Sequence, residues 1–156
     1  MQHDLLSPQA PEMEKIADGV FLFRSNVDEK QFMEQVNKVI DEIPFRHMIT
    51  PGGKKINVAG TSMGKCGWYS DRRGYRYEMS DPISKKPWPE ISSTISKIIT
   101  DAAAKAGFNN FIADSCFINC YSPGVRLTAH IDQDERDFTQ PIVSVSLGVS
   151  AIFQIF

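Results

Sequence analysis

Gly107 separates two kinds of apolar pattern in this chain, and few folds accommodate both. Before it, two stretches repeat at the helical period. Phe32, Val36, Val39, Ile40 and Ile43 form one stripe along Asn26 to Ile43, and Pro44 ends that helix. A second helix is predicted over Pro89 to Ala106, with Ile91, Ile95, Ile98 and Ala102 inward, Pro89 in its first turn and Gly107 at its C-cap. After Gly107 the period becomes two. Cys116 to Tyr121, Val125 to His130, Ile142 to Leu147 and Ala151 to Phe156 predict four strands, punctuated by Ser122-Pro123-Gly124 and Gly148. Val20 to Phe23 predicts one earlier strand, and residues 1–12 read as loose. Helices followed by closely spaced strands predict an α+β domain, a barrel or jelly roll buttressed by helices. The last predicted strand is apolar and ends the sequence, so the chain is expected to be a fragment.

Residues 45–88 obey neither period. Pro51-Gly52-Gly53, Gly60, Gly64, Gly67 and Gly74 break the stretch, and Trp68, Tyr69, Tyr75 and Tyr77 lie between basic residues. Turns and short strands are predicted there, not a packed core element. Residues 54–86 hold eight basic and three acidic side chains, which makes them +5 in a chain of net charge −2 and leaves −7 elsewhere. Such a run is most often a solvated face, yet inside an acidic protein it also attracts phosphates. Three cysteines without a CxxC pair fit a reducing, cytoplasmic setting, since Cys116 and Cys120, four apart in one strand, are too distant to bridge. No apolar run approaches the roughly 20 residues of a membrane helix.

The sharpest chemical feature is His130-Ile131-Asp132. On an extended chain His130 and Asp132 share a face. An imidazole beside a carboxylate supplies two of the three ligands of a 2-His-1-carboxylate triad, which holds Fe(II) with positions open for oxygen and a cosubstrate. The tripeptide alone is a weak signal and is far more often an ordinary surface turn. His3 and His47, the other histidines, are poorly placed to be a third ligand. Upstream, Asn119 and Tyr121 share a strand face, where an amide and a phenol can bind a small dicarboxylate or simply face solvent. Asp134 and Glu135 follow as an acidic loop.

Read together, Asn119 to Gly124, Leu127 to His130, Asp132, Asp134-Glu135 and Pro141 to Gly148 resemble the AlkB family of oxidative dealkylases. The likeness continues upstream at Thr50 to Gly53, Gly67-Trp68, Gly74-Tyr75 and Lys86 to Pro89, and so spans nearly the whole chain in order. The resemblance implies a double-stranded β-helix in one domain over residues 1–156, with residues 45–88 as a nucleotide-recognition lid. It implies Fe(II), with 2-oxoglutarate and O2 as cosubstrates. His130 and Asp132 would be catalytic iron ligands, and Asn119, Tyr121 and Ser144 would line the 2-oxoglutarate pocket. Trp68 and His130 would sandwich the flipped base, with Thr50 and Tyr75 near phosphates, Asp134 facing the base's exocyclic amino group and Glu135 nearby. Cys120 stands where the family usually has arginine, and is expected to point away from the pocket. The implied partner is alkylated single- or double-stranded DNA, or RNA, with no membrane, and the complete protein is expected to be a monomer. The family's third iron ligand and its 2-oxoglutarate arginine come later than Phe156, so the 156-residue chain alone is expected to be inactive and to lack the closing strands. Two rival readings are a nucleic-acid-binding fragment without catalysis and a small-molecule hydroxylase of the same superfamily.

Overall fold

The computed structural model describes residues 12–24 and 27–155. Expectations for residues 1–11, Asn26 and Phe156, including the position of His3, fall outside them. The order of elements is β1 (Met13–Ala17), β2 (Val20–Phe23), α1 (Glu29–Glu42), β3 (Ala59–Gly64), β4 (Gly67–Asp71), β5 (Gly74–Glu78), α2 (Ser93–Lys105) and β6 (Ser115–Cys120). Among the described residues they form three two-stranded antiparallel sheets, β1–β2, β3–β6 and β4–β5, with two helices. The strand over Val20 to Phe23 is found as predicted, and β1, whose exposed residues carry little pattern, exists through its pairing with it.

Asp28 caps α1 by accepting from the Gln31 amide at 3.0 Å, and Ser92 caps α2 by accepting from the Ile95 amide at 3.4 Å. Pro89 therefore precedes α2, in place of the predicted position in its first turn, because a serine hydroxyl satisfies the first free amides three residues later. The C-terminal end follows expectation. Gly107 takes φ 101°, and the Gly107 and Phe108 amides reach the Ala104 and Ala103 carbonyls at 3.0 and 2.9 Å, a Schellman closure. The buried stripe of α2 is Ile95, Ile99 and Ala103, one position round from the one predicted. It meets Phe32, Val36 and Val39 of α1 and Met63 of β3 in the main apolar cluster.

Met63 corrects the expectation for residues 45–88. The stretch contributes Met48, Val58, Met63 and Trp88 to the buried interior. Glycines let large side chains enter. A Cβ on Gly67 would stand 2.4 Å from the Trp88 ring and 2.6 Å from Ser62 Cβ. The Trp88 indole donates to the Glu78 carbonyl at 2.8 Å, so its position is set by the backbone of β5. The two ends of the stretch are joined by Arg46 and the fully buried Asp81, a bidentate pair to which the Ser84 amide adds a bond at 2.8 Å.

The last 35 described residues also differ from expectation. Residues 121–155 form no strand, so Val125 to His130, Ile142 to Leu147 and Ala151 onward are extended chain. A strand is a ladder, and among the described residues none lies alongside to complete one. The period-two pattern persists all the same. Val143, Val145 and Leu147 pack against the central cluster while Ile142, Ser144 and Ser146 face outward.

Two outcomes follow. Gly67→Ala forces the Trp88 ring or β3 to move and is expected to cost about 1–3 kcal/mol in urea unfolding. Burial opposes the charge on Asp81, but Arg46 and Ser84 overcome it and hold its pKa down from 3.8 to about 2. A depressed carboxyl stabilises the fold above its unfolded pKa and loses that contribution as pH falls. Unfolding free energy is therefore expected to drop between about pH 4 and pH 2, and the drop should be shallower in Asp81→Asn.

Candidate metal and nucleotide site

The β4–β5 hairpin turns through Arg72-Arg73, with Asp71 opposite Gly74 and Trp68 opposite Tyr77. Opposed residues share a face. Trp68, Ser70, Tyr75 and Tyr77 therefore lie on one side, and Tyr69, Asp71, Arg76 and Glu78 on the other. The second side is an ion-pair network. Arg76 bonds both Asp71 oxygens, at 2.9 and 3.0 Å, and Glu78 at 2.6 Å, and lies 5.6 Å from the Tyr69 ring centroid. Its bond to Arg76 above all, then the Arg73 amide and guanidinium, hold the Asp71 carboxyl well below the usual carboxylate range.

The first side is aromatic. Trp68 stacks with Tyr75, centroids 5.7 Å apart and planes at 16°, and meets Phe117 of β6 edge-on at 5.2 Å. Phe117 reaches it because Gly60, across the β3–β6 ladder, has no side chain: a Cβ there would lie 2.3 Å from the ring. Asn119 has the same parity as Phe117 and therefore the same outward face of β6, and the exposed Tyr121 follows just past the strand. Cys120 has the opposite parity and lies exposed at the strand end. Cys116, on the inner face, is partly buried, and desolvation pushes its thiol up to about 11. The three cysteines are free.

His130 and Asp132 converge, with Nε2 and Oδ1 3.4 Å apart and both side chains half-exposed. His130 Nδ1 lies 2.8 Å from the Thr128 carbonyl. A carbonyl only accepts, so Nδ1 carries a proton, which leaves Nε2, on the side of Asp132, as the ring nitrogen able to ligate a metal. Two ligand atoms at right angles on one ion, each about 2.1 Å from it, stand about 3 Å apart, so the pair fits two adjacent ligand positions. Among the described residues no cluster of three histidine, cysteine or carboxylate side chains is present. His47 instead places Nδ1 3.0 Å from the Ile56 carbonyl.

Two long-range hydrogen bonds join the aromatic face to the segment after His130. The Trp68 indole donates to Asp134 at 3.0 Å, and the Tyr77 hydroxyl donates to Glu135 at 2.5 Å. Burial first, then the bond and charge of Glu135, push the Tyr77 phenol well above its ordinary value. Trp68, Tyr75, Asp134 and Glu135 are thus brought together. Thr50 lies apart from that cluster, in a turn where its own hydroxyl accepts from the Lys54 amide at 3.1 Å, and the Ile49 carbonyl beside it accepts from Ser70 of the hairpin at 2.6 Å. Ser144 lies exposed on the outward side of its extended segment.

Tyr77 and Phe117 belong to this site and were not picked out from the sequence. Both had a signal. Tyr77 lies opposite Trp68 in a two-residue hairpin closed by Asp71 and Gly74, and Phe117 is two residues from Asn119 on one strand.

The pattern of the 2OG-Fe(II) oxygenase superfamily matches residues 19–155. The chain is 42% identical over 156 residues to the alpha-ketoglutarate-dependent dioxygenase AlkB of Salmonella typhimurium, an alignment covering 97% of this chain and 71% of that protein. It is 43% identical over 154 residues to the protein of the same name from Escherichia coli, with the same coverages. Over 79 residues, half of this chain and a quarter of the relative, it is 33% identical to the tRNA demethylase abh1 of Schizosaccharomyces pombe. The chain therefore belongs to the 2OG-Fe(II) oxygenase superfamily, whose fold is the jelly roll, and within it to the AlkB family.

Proposed function

We propose that the chain acts in oxidative demethylation of N-alkylated bases in DNA or RNA, with residues 45–88 as the lid that binds the nucleic acid. The observation that carries this reading is the Trp68–Asp134 bond, which sets a stacking surface beside the segment that bears His130 and Asp132. His130 Nε2 and Asp132 Oδ1 would hold Fe(II). With 2-oxoglutarate and O2 the bound iron supplies oxidation of the N-alkyl carbon, yielding succinate, carbon dioxide, an aldehyde and the unmodified base.

The protein's own contribution is placement. Trp68 offers a π-face to an extruded base, and stacking of that kind contributes about 1–3 kcal/mol per base against a flipping cost of a few kcal/mol. Asp134 gives one oxygen to the indole and keeps the other as an acceptor for an exocyclic amino group. Asn119, Tyr121 and Ser144 are the candidates for 2-oxoglutarate contacts, through amide and hydroxyl donors. The phosphates would meet Thr50, Tyr75 and the lid cations. Among the described residues Lys54, Lys55, Lys65, Arg72, Lys85 and Lys86 form no ion pair, whereas the stretch's carboxylates Asp71, Glu78 and Asp81 all do. That leaves positive charge free for a polyanion and argues against a small neutral substrate.

Two measurements bear on this. Trp68→Ala is expected to weaken binding of a 1-methyladenine oligonucleotide by about 1–3 kcal/mol, and wild-type affinity should fall steeply with salt. Unchanged affinity in the variant would remove the lid from the reading. Under anaerobic conditions Fe(II) is expected to raise the thermal midpoint of the wild type and to leave His130→Ala and Asp132→Ala unmoved.

A further inference from the structure

Residues 121–155 are held by little. Among the described residues their backbone hydrogen bonds are local, as from the Val125 amide to Ser122, from Gln133 to Ile131 and from Gln140 to Asp137. Their side-chain bonds are local too, with two exceptions, Trp68 to Asp134 and Tyr77 to Glu135. Apolar anchoring comes from Val143, Val145 and Leu147, at least eleven residues beyond Asp132. The stretch from His130 to Glu135 therefore depends for its position on two side chains of one hairpin face.

The two donors differ in duty. Trp68 is the proposed stacking surface, itself half-buried between Tyr75 and Phe117. Tyr77 sits directly across the hairpin from it, half-buried, and bonds the next carboxylate along. Directly opposed strand residues stand about 5 Å apart, a span that two consecutive side chains of a turn can match. A phenol bonded to a carboxylate at 2.5 Å is a strong, charge-assisted anchor, and desolvation keeps the phenol protonated as the donor.

We infer that Tyr77 is a positioning residue of this site: through Glu135 it holds the His130–Asp132 segment against the hairpin face that carries Trp68. It touches neither the metal ligands nor the base in this role. The consequence for nucleotide binding rests on the function proposed above, whereas the tether itself does not.

The test uses the metal-free protein and four variants, Tyr77→Phe, Glu135→Leu, Glu135→Gln and the Tyr77→Phe/Glu135→Leu double. Backbone order is followed by the 15N heteronuclear NOE. Tyr77→Phe and Glu135→Leu should each lower the NOE of residues 130–136 into the range of flexible backbone, with α1 and α2 unchanged and the double variant no lower than either single. Glu135→Gln keeps an acceptor and should restore most of the order. In parallel, affinity for a 1-methyladenine oligonucleotide should fall about five-fold in Tyr77→Phe. Wild-type NOE values in Tyr77→Phe, additive effects in the double variant, or an equal drop throughout the helices would each overturn the assignment. A wild type that shows no preference for the methylated oligonucleotide would defeat the proposed function, while the NOE result still decides the tether.

Discussion

The ladder between β3 and β6 is the constraint from which the rest of the molecule follows. It joins segments more than 50 residues apart in six paired positions, from Ala59 opposite Cys120 to Gly64 opposite Ser115. Its two faces have opposite character. Thr61, Met63, Cys116 and Ile118 face the helices, and Thr61 also closes the end of α1 by donating to the Ile43 carbonyl at 2.8 Å. Gly60, Ser62 and Phe117 face the hairpin. Because Gly60 and Ser62 are small, Phe117 and Trp88 can lie against β3, and Trp68 can rest on Phe117. A slip of one residue would exchange the faces, putting Phe117 among the helices and Met63 beneath Trp68.

The glycines of residues 45–88 acquire a specific meaning in that frame. Read as turn formers, they suggested a solvated stretch. Gly60 and Gly67 are instead sites of close approach inside the fold, and the stretch's aromatics run from buried Trp88 through half-buried Trp68 to exposed Tyr75. Charge divides likewise. The acids of the stretch are spent on Arg46, Arg73 and Arg76, which stiffen the hairpin and close its base, and the lysines are left unpaired among the described residues. A segment that looked uniformly basic is a rigid neutral network with a cationic rim.

The sequence was most legible where a side chain answers to its own neighbours. The α1 stripe, the Gly107 closure and the convergence of His130 with Asp132 depend on spacing alone, and each is present. It was least legible where a partner decides. Alternation over 141–147 survives as an inward row of Val143, Val145 and Leu147, yet alternation states only that one side is apolar; a strand also needs a neighbour. Tyr77 shows the same limit. Nothing in its local composition sets it apart from Tyr69 or Tyr75, and its importance comes from register with Trp68 and from a carboxylate 58 residues away.

The acidic run after His130 gains its logic from the kind of donor its carboxylates meet. Asp134 meets an indole and Glu135 a phenol. Both partners are neutral, in contrast with Asp71, Glu78 and Asp81, which meet guanidinium groups. Hydrogen bonds from neutral donors fix a carboxylate's direction without cancelling its charge, whereas an ion pair does both. The hairpin's outer face is thereby neutralised while the segment beneath Trp68 stays negative. In the reading proposed above, that charge would draw a divalent cation to Asp132 and would favour an adenine alkylated at N1 or a cytosine alkylated at N3, each of which carries positive charge of its own, over the unmodified base, which would offer Trp68 the same π-face without that charge.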